Sequence, residues 1–163
     1  MSIDIFIKSY RNDFKLLNYA LLSLAKYITG YDKLILVIPD HDRKLFNALV
    51  RIPKEINCEV VFVGEYGRGY MYQQLCKIQA HTYTEADYIM FSDSDVIFDH
   101  HTNLQDCIVD NKPEILYTEW AKVGDAICWK QVMEDFIKEP VFYEMMRRNN
   151  QIFHRSTLVA IAE

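Results

Sequence analysis

A chain of 163 residues, half of them hydrophobic and a quarter charged, is long enough to bury the core of one soluble globular domain. A formal net charge of −5 gives no sign of the basic face that a nucleic-acid binder presents, and 11 Tyr and 9 Phe argue against any long disordered stretch. No apolar run approaches the roughly 20 residues of a membrane span.

Met1-Ser2-Ile3-Asp4 has neither the basic start nor the long apolar stretch of a signal peptide. Cys58, Cys76, Cys107 and Cys128 form no Cys-x-x-Cys pair and no Cys/His zinc pattern. They are expected to be reduced, mostly buried thiols of a cytoplasmic protein.

In chain order, Ile3 to Ser9 reads as a first strand, and Asn12 or Asp13 can cap the helix that follows. Leu17, Leu21 and Leu24 recur there at helical spacing, flanked by Leu16, Ala20 and Ile28, with Gly30 as the stop. Lys33 to Ile38 is an apolar second strand, of the kind buried on both faces of a parallel sheet. A short helix over Arg43 to Val50 puts Leu45, Phe46 and Leu49 on one side, and Cys58 to Val63 gives a third strand. After the glycine-bearing loop Gly64 to Tyr70, a helix from Met71 to Thr84 carries a core stripe of Met71, Leu75 and Ile78. A polar stripe of Tyr70, Gln74, Lys77 and His81 lies beside it. A fourth strand, Tyr88 to Phe91, completes a β-α-β-α-β-α-β alternation, which predicts a mostly parallel sheet covered by helices.

Beyond it, Glu114 to Thr118 is expected as a strand opened by Pro113, and Cys128 to Ile137 and Val141 to Arg148 as helices. Gln151 to His154 is expected as a short strand, and Ser156 as the cap of a last helix running to Glu163. There is no internal repeat and no linker, so residues 1–163 count as one domain.

The chain is organised around Asp93-Ser94-Asp95, which follows the fourth strand at once. An Asp-x-Asp at the end of a strand puts acid groups at the carboxyl edge of a sheet, where ligands of open α/β sheets sit. If the backbone stays extended, both carboxylates point the same way and repel each other unless a cation lies between them. Mg²⁺ and similar cations take oxygen ligands, often one or two protein carboxylates plus substrate phosphates. The pattern therefore points to a metal that bridges protein and a phosphate-bearing ligand.

Lys8-Ser9-Tyr10-x-x-Asp13, Leu22-Ser23-Leu24, Lys26-Tyr27, Gly69-Tyr70-x-x-Gln73-Gln74-x-x-Lys77-Ile78 and Asp87-Tyr88-x-x-x-Ser92-Asp93-Ser94-Asp95 occur in this order. Together they resemble the nucleotide-sugar glycosyltransferases of the GT-A fold, in particular a bacterial and viral branch with a Gln-Gln-x-x-Lys helix before its Asp-x-Asp. The resemblance covers roughly residues 3–120. It implies a Rossmann-like α/β domain, with a nucleotide-sugar-binding half over 1–99 and a short acceptor-side part over 100–163. It also implies Mn²⁺ or Mg²⁺ as cofactor, a nucleotide-sugar donor, and a glycan or other small hydroxyl compound as acceptor.

By the same resemblance Asp95 is the direct metal ligand, and Asp93 contacts the ribose or a metal-bound water. Lys77 adds positive charge at the diphosphate, so Asp93, Asp95 and Lys77 form the expected catalytic group. Ser9, Tyr10, Gln74 and Ser94 are expected around the nucleotide, with Arg68 reaching phosphate or sugar. His154 is a candidate third metal ligand, and His100 and His101 are weaker ones. Glu119, Asp125 and Glu163 are the carboxylates from which a base would come.

Glycosyltransferase domains of this fold usually run well past 200 residues, and self-association through Ile127 to Met146 could supply the missing wall. Two other readings use the same residues. One is a haloacid-dehalogenase-type phosphatase with Asp93 as nucleophile, although its motif usually opens the domain and continues x-Thr or x-Val where Ile97 stands here. The other is a nucleotide-sugar-binding remnant without catalysis.

Overall fold

The computed structural model describes residues 1–64, 69–145 and 151–162. Its centre is a sheet of four parallel strands, β1 (Ile3–Lys8), β2 (Lys33–Pro39), β3 (Cys58–Val63) and β4 (Tyr88–Asp93). An antiparallel edge strand, β5 (Ile152–His154), completes it. Across the sheet the order is β5-β4-β1-β2-β3. The helices are α1 (Phe14–Tyr27), α2 (Arg43–Leu49), α3 (Gly69–Ile78), α4 (Cys128–Ile137) and α5 (Arg155–Ala162).

Helices cover both faces of the sheet, which is why its central strands read as near-continuous apolar runs. On one face Ile3, Ile5, Ile7, Leu34, Leu36, Ile38 and Met90 meet Phe14, Leu17, Leu21 and Leu24 of α1 and Phe46 of α2. On the other, Phe6, Ile35, Val37 and Ile89 meet Cys76 and Ala80, at and just beyond α3, and Leu158 of α5. Residues 3, 5 and 7 of β1 go one way and Phe6 the other, as the two-residue period requires.

Several expectations change. α1 ends at Tyr27, before Gly30; the positive φ of Gly30 serves a turn in which any Cβ would collide with Asn103. The stripe that α3 buries is not Met71 and Leu75, which are 64% and 48% exposed. It is Tyr72, Cys76 and Ala80, small residues among them, because a helix laid on a flat sheet needs close approach more than volume. The helix also stops at Ile78 and continues as a 3₁₀ turn over Gln79–Thr82 rather than reaching Thr84. On α2 only Phe46 is buried, and Leu45 and Leu49 stay open to solvent.

In the later part, 114–117 is not a strand. Two-residue ladders instead pair Ile108–Val109 with Lys112–Pro113, and Thr118–Glu119 with Tyr143–Glu144. That last pair replaces the start of the helix expected from Val141, whose remainder at 146–148 lies outside the described residues. Ser156 lies inside α5, and its backbone N–H donates at 3.2 Å to His154 Nδ1, so His154 is the capping residue. From the later part of the chain, β5 and α5 build into the main sheet and its helical layer.

No residue of α4 is buried, and Trp129, Val132 and Phe136 (82% exposed) line one side of it. This is the segment from which self-association is expected. No helix among the described residues is long and apolar enough to cross a membrane. The cysteines form no disulfide among the described residues, Cys76 is buried and Cys128 exposed, and burial pushes the Cys58 thiol up to about 12.

Asp4 of β1 carries a charge into the interior. It is 4% exposed, and Thr84 Oγ1 donates to it in a short hydrogen bond. Burial raises its carboxyl above the ordinary value, against the lowering pull of Thr84 and Lys33. A raised folded-state value means that the ionised form is disfavoured by folding, so the cost is present at neutral pH and disappears as pH falls to the unfolded Asp range near 4. Asp4→Asn is therefore expected to melt higher than wild type at pH 7 and to lose that advantage toward pH 4. A melting difference that stays constant over this range would contradict the assignment.

Candidate functional site

α1 leaves the carboxyl end of β1 over one face of the sheet, whereas α3 enters β4 across the other face. The two strands are parallel neighbours whose connections run over opposite faces, the topological switch point beside which ligands of open α/β sheets bind. The register aligns Lys8, the last residue of β1, with Asp93, the last residue of β4. The groups that follow both strands, Ser9-Tyr10 and Ser94-Asp95, therefore meet at one edge.

β4 ends at Asp93, and Ser94-Asp95 form a turn in which the Val96 N–H donates to the Asp93 carbonyl at 3.4 Å. The extended backbone expected through the motif is thus broken after its first aspartate. Asp95 stands exposed, Asp93 is half-buried, and Ser94 is buried between them. The Ser94 hydroxyl donates at 3.3 Å to Asp13 Oδ2, at the start of α1. Burial, with the nearby charges of Asp95 and Asp93, pushes the Asp13 carboxyl up, against the Ser94 hydrogen bond and Lys8. Asp13 is accordingly a third carboxylate at this edge, and it makes no side-chain cap to its own helix.

Two ammonium groups face these acids. Lys77 Nζ of α3 donates to Asp93 Oδ1 at 2.8 Å, with Gln73 Nε2 at 3.4 Å from the same oxygen. Lys8, 7% exposed, donates to the Ser9 carbonyl at 3.0 Å and lies 5.8 Å from the centre of the Tyr72 ring. The spacing of four between Gln73 and Lys77 puts both on one side of α3, beside its buried stripe. Gln73 is the glutamine that meets Asp93; Gln74, one residue on, occupies a different side of the helix.

Ser9 is fully buried, and its hydroxyl has no hydrogen-bond partner among the described residues. A buried polar group left in that state costs free energy unless a water or a ligand satisfies it. Tyr10 follows, 44% exposed. The loop that carries both is clamped by Asp42, whose buried carboxylate accepts from the Arg11 backbone N–H at 3.0 Å and from Arg11 Nε at 2.5 Å. This tie between the loops after β1 and β2 was not anticipated from sequence, since the two residues are 31 positions apart.

The remaining candidates are placed elsewhere. His154 pairs in register with Tyr88, five residues before the end of β4, and so at the opposite edge of the sheet. That is about 16 Å from Asp93 at about 3.3 Å per residue, so His154 caps α5 and is not a ligand beside Asp93. After Asp95 the chain runs back along α1. The Phe98 N–H donates to Ser23 Oγ at 3.1 Å, the His101 ring meets Tyr27, and Thr102 pairs with Ile28. His101 has therefore left the edge, and His100 pairs with Asp99 in solvent. Glu119 is exposed and paired with Lys122. Arg68 and Glu163 lie outside the described residues, as does the side chain of Asp125.

Among the described residues, no group of three or more His, Cys, Asp or Glu side chains is arranged to hold a metal by itself. A divalent cation that takes one or two protein carboxylates and completes its shell with phosphate oxygens needs no such group. Asp93 and Asp95, with Asp13 beside them and an unsatisfied Ser9 hydroxyl, fit that kind of site.

The chain belongs to the family of unknown function DUF6492, whose match spans residues 2–136. That span includes the four parallel strands, Asp13, Lys77 and the whole Asp-x-Asp, and ends before β5. No curated protein matches the sequence.

Proposed function

We propose that the chain is a metal-dependent glycosyltransferase of the GT-A type, which moves a sugar from a nucleotide-sugar donor to a hydroxyl group of a glycan or small acceptor. The observation that carries this reading is the register of Lys8 with Asp93 at the switch point, which gathers Ser9, Tyr10, Asp13, Lys77, Asp93 and Asp95 at one sheet edge. In the reaction the bond between the anomeric carbon and the diphosphate oxygen breaks. A bond from the acceptor oxygen forms, and the acceptor proton passes to a base. Negative charge grows on the departing diphosphate.

Asp93 and Asp95 would hold Mn²⁺ or Mg²⁺ there. When bound, the ion supplies Lewis-acid stabilisation of the diphosphate and a template for its orientation. Lys77 adds a positive charge for the same developing anion. Tyr10 offers the nucleoside a partly exposed side chain, and Ser94 holds the acidic turn against Asp13.

A thermal-shift series with nucleotide sugars, with and without Mn²⁺, tests the reading. A ligand specific to the folded state adds about 2.7 kcal/mol at one hundred times its Kd. The expected result is a rise in melting temperature with nucleotide sugar and Mn²⁺ together that exceeds the sum of either alone. Additive or absent shifts across uridine, guanosine, cytidine and thymidine diphosphate sugars would reject it. Mn²⁺-dependent release of nucleoside diphosphate then separates an enzyme from a binding protein.

A further inference from the structure

We propose that Lys77 is a built-in counter-cation, which neutralises Asp93 while no metal is bound and yields that carboxylate when a divalent cation arrives. The inference rests on the metal-binding reading above and adds an exchange step to it.

The charges at the edge suggest the exchange. Asp13, Asp93 and Asp95 face Lys8 and Lys77, which leaves a formal charge of −1 with both lysines in place. Without Lys77 the charge is −2, matched to one divalent ion. The two lysines differ in freedom. Lys8 is 7% exposed and held on the Ser9 carbonyl within the sheet edge, whereas Lys77 stands on α3 with its side chain 22% exposed. A lysine is a point charge on a four-carbon stem, able to swing while its helix stays fixed.

Its nitrogen is 2.8 Å from Asp93 Oδ1, the distance of a direct charge-assisted hydrogen bond. A divalent ion held by the same carboxylate at about 2 Å would face that ammonium across one short span, and like charges disfavour each other there. Gln73, also directed at Oδ1, is neutral and can remain. Once released, Lys77 is free to meet the negative diphosphate that arrives with the metal. The exchange makes metal and diphosphate favour each other's binding, because the diphosphate gives the displaced lysine a new partner.

The test is a pair of titrations on the full chain, wild type and Lys77→Met, with folding of each followed by its melting curve. One uses Mn²⁺ alone, the other a nucleoside diphosphate at saturating Mn²⁺. Opposite signs are expected. Lys77→Met binds Mn²⁺ alone on the order of tenfold more tightly, the lower end of what one adjacent unit charge does to a carboxylate's proton affinity. It binds the nucleoside diphosphate on the order of tenfold more weakly, through loss of one charge-assisted contact.

Equal or weaker binding of Mn²⁺ alone by the variant overturns the exchange. If the wild type shows no Mn²⁺-dependent nucleotide binding at all, the parent reading has failed and the exchange falls with it. A second measurement uses wild type only: amine acylation followed by mass spectrometry, with Lys33, which pairs with Glu59, as internal reference. Mn²⁺ without nucleotide should raise the labelling of Lys77 and leave Lys33 unchanged. Unchanged or reduced labelling of Lys77 at saturating Mn²⁺ would mean that the ion pair persists beside the metal, and would overturn the proposal.

Discussion

Asp95→Ala is expected to abolish Mn²⁺-dependent binding of a nucleoside diphosphate while leaving the melting curve of the metal-free protein intact. Asp95 is exposed, sits in the turn after β4, and is not part of either core cluster. Its removal therefore opens no cavity. Its charge is one of those that push the Asp13 carboxyl up, so the variant relieves repulsion in the empty protein. Binding should suffer far more than stability. Loss of an outer partner of a metal ligand already costs about 10- to 100-fold in affinity, and loss of the ligand itself should exceed that. Asp93→Ala makes a useful contrast. It also strands Lys77, so its effect on the metal-free protein should be larger, because an ion pair with both side chains half-buried is broken rather than a lone exposed charge removed. Calorimetric titration with and without Mn²⁺ measures both. Unchanged metal-dependent binding in Asp95→Ala would remove the metal role of the motif.

Much of the sheet could be read from sequence because each strand carries its own signal. Ile3-Asp4-Ile5-Phe6-Ile7 and Leu34-Ile35-Leu36-Val37-Ile38 are apolar enough that only burial on both faces accounts for them, and both are central strands. Their order was implied by the alternation with helices, and the site at the carboxyl ends follows from that order alone. The orientation of α3 was not legible. Periodicity favours the largest apolar side chains, yet Met71 and Leu75 face outward and Cys76 and Ala80 face the sheet. A difference of about 100° per residue then decides which glutamine meets Asp93, and Gln73 does.

The part after Asp95 was read least well, for a related reason. Its two local ladders, 108–109 with 112–113 and 118–119 with 143–144, are two residues long and carry no periodic signal, and the first closes through Asp110 and Asn111 at positive φ. His154 looked like a late metal ligand because sequence distance from the motif says nothing about sheet edges. The antiparallel register of β5 places it beside Tyr88 instead. Asp13 lies in the Lys8-Ser9-Tyr10-x-x-Asp13 pattern, but its partner Ser94 is 81 residues away, and only the closure of the sheet brings them together.

The second large effect concerns the packing that sets Asp13 in place. Phe14 follows it directly as the first residue of α1 and is fully buried. Its ring meets Phe46 of α2 edge-on at 5.6 Å, and Phe46 meets Phe62 of β3 at 5.8 Å. This row joins α1, α2 and the sheet beneath the site. Asn18, one turn on, donates to the carbonyls of Phe14 and Leu49 and accepts the Arg51 N–H, so the two helices are tied as well as packed. Phe14→Ala should cost about 3–5 kcal/mol, since the cavity is walled by a sheet and a second helix that cannot collapse into it. Against a typical total of about 5–15 kcal/mol, that is a large share. Phe136 supplies the control: the same side chain, 82% exposed on α4, for which Phe136→Ala should stay within about 0.5 kcal/mol. Urea unfolding of the three proteins checks this, with the midpoint of Phe14→Ala shifted down and its slope unchanged. Near-equal midpoints for the two variants would mean that the aromatic row does not hold α1 on the sheet, and the placement of Asp13 beside Ser94 would lose its support.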